Sequence, residues 1–276
     1  MTNIFTVDLE DWFHVCGVSA LSREKWSTLP SRVDDTTRWL LDTLDAAGVR
    51  ATFFVLGWIA EQHPKIVAAV RSAGHDIGSH GHDHLRAYEM TGETFVADLE
   101  KSVMALRSAG VPHITAFRAP EWSINGRSLW ALDSLAQKGF TTDASMAPVK
   151  IVGSPAFPRH PHVRQTTSGP IFEVPPLVVD RFGQAMPLGW GWGLRMSSPR
   201  RVLRTIEKVN RAGSPAVLAV HPWEFDTDPP KVRLPASLHF AHYFRLDGFR
   251  SRLRSILGSA RFGPISSLAH QNTAQQ

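Results

Sequence analysis

The sequence predicts an α/β fold with parallel strands, because helical segments and short apolar runs alternate along the chain. Residues 4–9 form the first apolar run, and five further runs each follow a helical pattern that ends at a glycine. A left-handed residue commonly ends a helix, and glycine adopts that conformation without steric cost. These glycines are Gly48, Gly74, Gly110, Gly139 and Gly213. At least six strands are therefore expected, and the run "IFEVPPLVV" is a candidate for another.

The helices are justified by apolar residues three or four positions apart, which lie on one helix face. Before Gly48 these residues are Val33, Leu40, Leu41, Leu44 and Ala47, and before Gly110 they are Phe95, Leu99, Val103 and Leu106. Two helix starts carry N-terminal signals: Asn125 stands before "GRSLWALDSL", and Ser198 with Pro199 stands before "RRVLRTIEKV".

Residues 150–195 interrupt this alternation with many Pro, Gly and Trp residues, including "GWGWG". A long stretch without clear helix inside one domain is more often a functional excursion than a linker. No domain boundary is visible, so residues 1–276 are predicted to form a single domain. No glycine-rich phosphate loop follows the first strand, which argues against a dinucleotide-binding fold.

Composition and charge exclude several classes of protein. No run approaches the ~20 consecutive apolar residues of a membrane span, and no nucleic-acid-binding motif occurs. The opening residues lack a secretory-signal pattern and Cys16 is the only cysteine, so a cytoplasmic location is expected. Residues 195–276 contain 13 Lys/Arg and 5 Asp/Glu, a local excess of +8 within an overall charge of +5. This basic region is either a contact surface for an anionic membrane or polymer, or a set of solvated helix faces.

Polar side chains follow five of the expected strands at the point where each strand ends. They are Asp8, Glu10 and Asp11 after the first strand, Ser79, His80 and His84 after the third, then Arg118, then Asp143 and Ser145, and finally His221. The carboxyl ends of parallel strands share one face, where functional sites are built. Packing alone gives no reason for five polar strand ends, so we expect a site there.

The stretch "GSHGHDHL" at residues 78–85 favours a divalent-metal site over a polar surface loop in this setting. Two imidazoles four residues apart and one carboxylate give three ligands and leave a position for water. The metal would lower the pKa of that water and polarise a carbonyl oxygen. A second carboxylate and a separate histidine can then act as base and acid, so these groups suit metal-assisted hydrolysis.

Five ordered motifs resemble those of the NodB-homology polysaccharide deacetylases, carbohydrate esterase family 4: "TVDLED", "SHGHDH", "FRAPEW", "DASMAP" and "LAVH". The resemblance covers residues 4–224 and implies a distorted (β/α) barrel. The opening "VDxED" and the closing "HPWE" are similar to the branch associated with bacterial exopolysaccharide and exosortase clusters. Residues 225–276 then resemble the C-terminal extension of that branch.

Transferred motif by motif, the resemblance implies a role for each polar residue outside the histidine stretch. Asp8 resembles the catalytic base, and Arg118 resembles the residue that pairs with it and holds it ionised. His221 matches the general acid, with Asp143 placed to orient it. The implied reaction is attack of a metal-activated water on an N-acetyl carbonyl, followed by protonation of the departing sugar amine.

The metal ligands are incomplete without a carboxylate from the first motif. His80 and His84 match the metal-binding histidines of the family, and one divalent ion, zinc by preference, is the implied cofactor. The usual adjacent aspartates are absent, which leaves Glu10 and Asp11 as alternatives for the third ligand. Side chains at i and i+2 share a face of a regular strand, so we expect Glu10 to point with Asp8 and Asp11 to point away. A turn at the strand end would instead bring Asp11 inward.

The predicted function is that of a metal-dependent hydrolase removing N-acetyl groups from amino sugars of a bacterial polysaccharide, as polymer or oligomer. Trp122, Trp192 and Trp223 are expected to line the substrate groove, with core packing as the alternative, since sugar rings stack on aromatic side chains. The rival functions are an amidohydrolase of small cyclic amides and a catalytically idle carbohydrate-binding protein. The idle protein would have lost Asp8, a metal histidine or His221, and all are present.

Overall fold

Residues 1–268 are described by a computed structural model, and strands alternate with helices as the sequence predicts. The strands are β1 (Asn3–Leu9), β2 (Thr52–Val55), β3 (Asp76–Ser79), β4 (Ala116–Phe117), β5 (Thr142–Asp143), β6 (His162–Thr166), β7 (Gly169–Glu173), β8 (Val178–Arg181), β9 (Gln184–Pro187), β10 (Val217–Val220) and β11 (Phe262–Gly263). The helices are α1 (Val33–Ala46), α2 (Gly57–Gln62), α3 (Pro64–Ser72), α4 (Gly92–Ser108), α5 (Trp130–Gln137), α6 (Gly191–Met196), α7 (Pro199–Arg211), α8 (Ala236–Tyr243) and α9 (Phe249–Leu257).

One curled sheet organises the molecule. Its strand order is β10-β1-β2-β3-β4-β5-β7-β6, all neighbours are parallel except the β6–β7 pair, and β11 adds to β1. Beyond β7 the chain turns back toward β10, where Leu177 N–H donates to the carbonyl oxygen of Val217 at 2.9 Å. Ala219 N–H likewise donates to the carbonyl oxygen of Gly189 at 2.7 Å. The prediction of a distorted barrel in one α/β fold is confirmed as a curled half-barrel.

Strand β1 shows how the sheet separates core from site. Phe5, Val7 and Leu9 belong to the main hydrophobic core between the sheet and its helices. Thr6 and Asp8 alternate with them and both bond to the same arginine inside the curled sheet. Because side chains alternate along a strand, the polar residues face the barrel interior while the apolar ones pack against the helices.

The five glycines predicted to end helices all have left-handed backbone conformations. Their φ angles are +64° at Gly48, +78° at Gly74, +90° at Gly110, +82° at Gly139 and +85° at Gly213. They follow α1, α3, α4, α5 and α7. The helix–glycine–strand interpretation of the sequence is confirmed at each of them.

Two local predictions need correction. Helix α5 begins at Trp130 and not directly after Asn125, because the Oδ1 of Asn125 accepts from Arg127 N–H in a preceding turn. The run "IFEVPPLVV" is not one strand: β7 ends before its two prolines and β8 begins after them. Proline lacks the N–H that a strand ladder needs. The excursion at residues 150–195 contains two antiparallel hairpins and the short helix α6.

The C-terminal segment returns to the first strand of the fold. Helix α9 buries Phe249, Leu253 and Ile256 in the main core. Strand β11 then pairs with β1 through Asn3 and Phe262. Residues 225–268 therefore pack on the same sheet as the preceding part of the chain. No helix among residues 1–268 is both long and apolar enough to cross a membrane.

Candidate active site

Five polar residues from the ends of three strands line one cavity of about 310 Å³. Asp8 and Glu10 come from the end of β1, His80 and His84 follow β3, and His221 follows β10. The parallel sheet brings these strand ends to one face, so residues more than 200 positions apart become neighbours. This is the convergence that the polar strand ends predicted.

Glu10, His80 and His84 form a buried cluster whose geometry fits a metal ion. Their ligand atoms all lie within 4.8 Å of one another. Glu10 Oε2 lies 2.6 Å from His84 Nε2 and 3.8 Å from His80 Nε2, and apart from these rings no described residue satisfies it. His80 Nδ1 donates to the carbonyl oxygen of Arg118 at 2.8 Å, which leaves Nε2 as the ligand atom. Two imidazole nitrogens and a carboxylate oxygen are a common donor set for catalytic zinc.

The carboxylate of Glu10 is held in its ionised form. Burial opposes ionisation, but the charges of His84, His221 and His80 outweigh burial and hold the pKa of Glu10 well below its usual range. The ionised carboxylate is also the form that coordinates a metal ion.

Asp11 points away from the cluster and anchors the start of α1. Its Oδ2 accepts from Ser31 Oγ at 2.5 Å and from the backbone N–H groups of Arg32 and Val33 at 3.0 and 3.3 Å. The strand ends at Leu9, where Glu10 N–H bonds to the carbonyl oxygen of Asp8 at 3.1 Å, yet Glu10 still points inward and Asp11 outward. The structure places Glu10, the favoured of the two alternatives, beside the histidines.

Asp8 is paired with a fully buried arginine. Arg118 Nη1 donates to Asp8 Oδ1 at 2.7 Å and to Thr6 Oγ1 at 2.8 Å. The guanidinium carbon lies 4.4 Å from the ring centroids of both Phe54 and Trp122. An unpaired charge in this interior would be costly, and Asp8 supplies the carboxylate that pairs with the guanidinium.

His221 is oriented by Glu224 and Arg195. Its Nδ1 donates to Glu224 Oε2 at 3.0 Å, and Glu224 Oε1 lies 2.8 Å from Arg195 Nε. His221 Nε2 faces the cavity, 3.8 Å from both Asp8 Oδ2 and Glu10 Oε1. Burial opposes the charged ring, but the hydrogen bond to Glu224 and the nearby carboxylates outweigh burial and raise the pKa of His221 to about 9. The ring is therefore a proton donor at neutral pH.

The prediction that Asp143 orients His221 is wrong. Glu224 takes that position because it lies in the turn that begins directly after His221. Asp143 Oδ1 instead accepts from Ser145 Oγ at 2.5 Å, and Asp143 lies opposite Glu173 on the neighbouring strand. Burial raises the pKa of both acids, and the charge of Asp143 raises the pKa of Glu173 further. Asp143 and Glu173 are thus neighbouring buried acids on adjacent strands.

The three predicted aromatic residues all line the cavity but differ in exposure. Trp122 and Trp223 are buried, whereas Trp192 is half-buried. Trp223 Nε1 donates to Glu10 Oε1 at 3.1 Å, and its ring stacks on His221 with the centroids 5.2 Å apart. Trp223 therefore also fixes the position of two polar residues of the site.

Several cavity residues were missed by sequence reasoning. His14 is buried, and its Nδ1 accepts from Asp11 N–H at 2.8 Å. Arg195 and His242 reach the cavity from α6 and α8. Only Glu224 had a local signal, its position three residues after His221 in "HPWE". The others depend on tertiary contacts that no motif marks.

Two family models and several curated proteins match parts of this chain. Residues 26–140 match the family model described as polysaccharide deacetylase, and residues 144–270 match a domain of unknown function, DUF3473. Chitin deacetylase 1 of Saccharomyces cerevisiae is 32% identical over 106 residues, which are 34% of this chain and 35% of that protein. Peptidoglycan-N-acetylglucosamine deacetylase PgdA of Listeria monocytogenes is 33% identical over 89 residues, 32% of this chain and 19% of that protein.

The similarity to polysaccharide deacetylases thus lies in less than half of the chain, at residues 26–140. The chain matches about a third of the length of the yeast relative and less of the bacterial one. A solved candidate polysaccharide deacetylase from Mycobacterium smegmatis superposes with a TM-score of 0.59 at 20% identity, over 100% of this chain and 92% of that one. Peptidoglycan deacetylase PdaC from Bacillus subtilis gives 0.53 at 12% identity, over 99% and 93%. Residues 1–268 therefore share the overall fold of these solved structures.

Glu10→Gln is expected to weaken zinc binding by more than the ~10–100-fold that loss of an outer-shell partner costs, because it removes a charged ligand. Asp11→Asn should keep zinc and instead lose about 1 kcal/mol of stability, because it weakens the anchor at the start of α1. Metal analysis and urea unfolding of both variants check this. A full site in Glu10→Gln beside an empty one in Asp11→Asn would overturn the assignment.

Glu224→Gln is expected to lower the pKa of His221, because the hydrogen-bonded carboxylate that raises it becomes neutral. The proton donor is then lost at a lower pH, so the alkaline limb of a pH–rate profile moves toward neutrality. NMR titration of the imidazole measures the pKa directly. Asp226→Asn, two residues further along, is the matched control and should leave the pKa unchanged. An unshifted titration in Glu224→Gln would show that the contact does not govern His221.

Proposed function

We propose that the protein is a divalent-metal-dependent N-deacetylase acting on an amino sugar of a bacterial polysaccharide. One observation carries the proposal: a paired carboxylate, a three-ligand cluster and a charged imidazole share one cavity. Asp8 Oδ2 and Glu10 Oε1 each lie 3.8 Å from His221 Nε2. Amide hydrolysis needs a base, a Lewis acid and a proton donor at the same carbonyl.

The residues divide the reaction among them. When bound to Glu10, His80 and His84, a divalent ion supplies a water of lowered pKa and polarises the acetyl carbonyl. Asp8 accepts a proton from the attacking water, and Arg118 holds the carboxylate in position through the hydrogen bond to Oδ1. The water oxygen bonds to the carbonyl carbon, and the C–N bond breaks. His221 Nε2 gives its proton to the departing nitrogen, so the products are acetate and a free amine.

The substrate is proposed to be a saccharide and not a small cyclic amide. Four tryptophans line the cavity, the predicted Trp122, Trp192 and Trp223 together with Trp190, and sugar rings pack on aromatic faces. The matched relatives are named for chitin and for peptidoglycan-N-acetylglucosamine, both polymers of acetylated amino sugars. The exopolysaccharide branch, zinc as the metal and a cytoplasmic location stay predictions.

The decisive test is acetate release from tetra-acetylated chitotetraose by the zinc-loaded protein, with a small cyclic ureide in parallel. His221→Ala and Asp8→Asn should each lose ~10²–10⁴-fold in kcat, the usual contribution of an acid or base, and both should keep zinc. His239→Ala, an exposed histidine of α8, serves as control. Release from the ureide alone would favour the cyclic-amide activity. If His221→Ala retained more than about half of the wild-type rate, His221 would not be the proton donor.

We also propose that the basic region contacts anionic membrane surfaces. Arg200, Arg204 and Lys208 are exposed on α7 and line a groove of about 630 Å³ together with Arg159. Such a charged surface attracts anionic lipid over a Debye length of ~8 Å at physiological salt.

Pelleting with phosphatidylglycerol vesicles should therefore fall steeply as salt rises, and Arg200→Glu with Arg204→Glu should abolish it. Arg71→Glu with Arg107→Glu changes the net charge equally at exposed positions away from α7 and should retain pelleting. Equal loss in both pairs would indicate an effect of net charge alone. No pelleting at low salt would leave α7 a solvated helix face.

A further inference from the structure

Helix α8, in the segment beyond the deacetylase motifs, forms one wall of the catalytic cavity. Leu238, Ala241 and His242 line it together with the residues of the proposed metal site. Leu238 and Ala241 are apolar, so His242 is the polar group of this wall. Its side chain is in position to meet a molecule that enters the cavity.

The position of α8 is fixed from the side of the catalytic histidine. Arg195 Nη1 donates to the carbonyl oxygens of Phe244 at 2.7 Å and of His242 at 3.3 Å, and Nη2 donates to that of Ala241. The Nε of the same guanidinium pairs with Glu224, the carboxylate that orients His221. The buried side chain of Arg195 thus links α8 to Glu224, the residue that orients His221.

The imidazole of His242 is held in place but incompletely bonded. It is 6% exposed, and its ring stacks on Trp223 with centroids 4.3 Å apart and planes 20° apart. Within residues 1–268, Nε2 of His242 has no hydrogen-bond partner. Leaving a buried polar atom unbonded costs free energy, so the site favours a ligand that bonds to it.

The charge state of His242 indicates which ligand suits it. Burial and the nearby charge of Arg195 lower the pKa of His242 to about 4, so the ring is neutral near pH 7. A neutral imidazole has one N–H donor and one acceptor nitrogen. A sugar hydroxyl can both donate and accept, and the apolar residues beside His242 suit the C–H face of a pyranose ring.

We infer that His242 binds a hydroxyl group of the sugar residue in the catalytic cavity, so that the C-terminal segment supplies part of the substrate site. This inference rests on the proposed deacetylase function. It assigns His242 to substrate binding and not to the chemical step, since His221 and Asp8 already provide acid and base.

The test measures binding without turnover. In the Asp8→Asn background loaded with zinc, tetra-acetylated chitotetraose is titrated by calorimetry against three variants at α8. His242→Phe keeps the stack on Trp223 but removes both nitrogens, and His242→Gln restores a polar atom near Nε2. His239→Phe makes the same exchange at an exposed position of the same helix. Loss of one neutral hydrogen bond should raise Kd roughly three- to tenfold in His242→Phe, with partial recovery in His242→Gln and no change in His239→Phe.

The outcomes separate this inference from the function on which it rests. Zinc content and the thermal midpoint are measured first, and if phenylalanine disturbs the fold, His242→Leu replaces it. Equal affinity of parent and His242→Phe would overturn the role of His242 while acetate release by the wild-type protein still supports the deacetylase. Absence of binding in the parent would also overturn the role. An equal rise of Kd in His239→Phe would show that α8 acts only through its packing.

Discussion

The buried contact between Arg118 and Asp8 is the interaction on which the arrangement of the site depends. The side chain of Arg118 holds the carboxylate at the end of β1, while its backbone carbonyl accepts from the ring of His80. One residue therefore fixes both the proposed base and a proposed metal ligand. The flanking rings of Phe54 and Trp122 exclude water from the guanidinium, which strengthens its attraction to the carboxylate. Replacing Asp8 by an apolar residue would leave a lone buried charge on Arg118, whereas an asparagine would still offer it a hydrogen-bond acceptor.

Much of the fold and of the metal cluster could be predicted because the determining signals are local. A glycine after a helix indicates a left-handed residue, and the i, i+2 spacing of Asp8 and Glu10 predicts that both face inward, as they do although the strand already ends at Leu9. The polar ends of parallel strands must share a face whatever the exact curvature of the sheet. These features need only the neighbouring residues and the chirality of the chain.

The residues that orient His221 could not be predicted in the same way. Asp143 and Glu224 are both acids near strand ends, and the choice between them depends on how the turn after β10 folds back on the ring. Arg195 lies in the irregular excursion, with no pattern that links it to Glu224. The two family matches divide the chain near residue 140, yet the cavity takes residues from both sides of that point. The two regions thus form one site.

The pairing of β1 determines when the sheet can finish folding during synthesis. Its neighbours on one side come from far along the chain: Ile4 pairs with Val217, and Asn3 with Phe262. During synthesis, β1 is made long before these partners exist. Its backbone groups on that side therefore stay unpaired until β10 and β11 have been made. Pairings between such distant residues carry a high contact order and fold slowly. The cavity can therefore be completed only after residues 217–263 have been made, although its proposed base lies in β1.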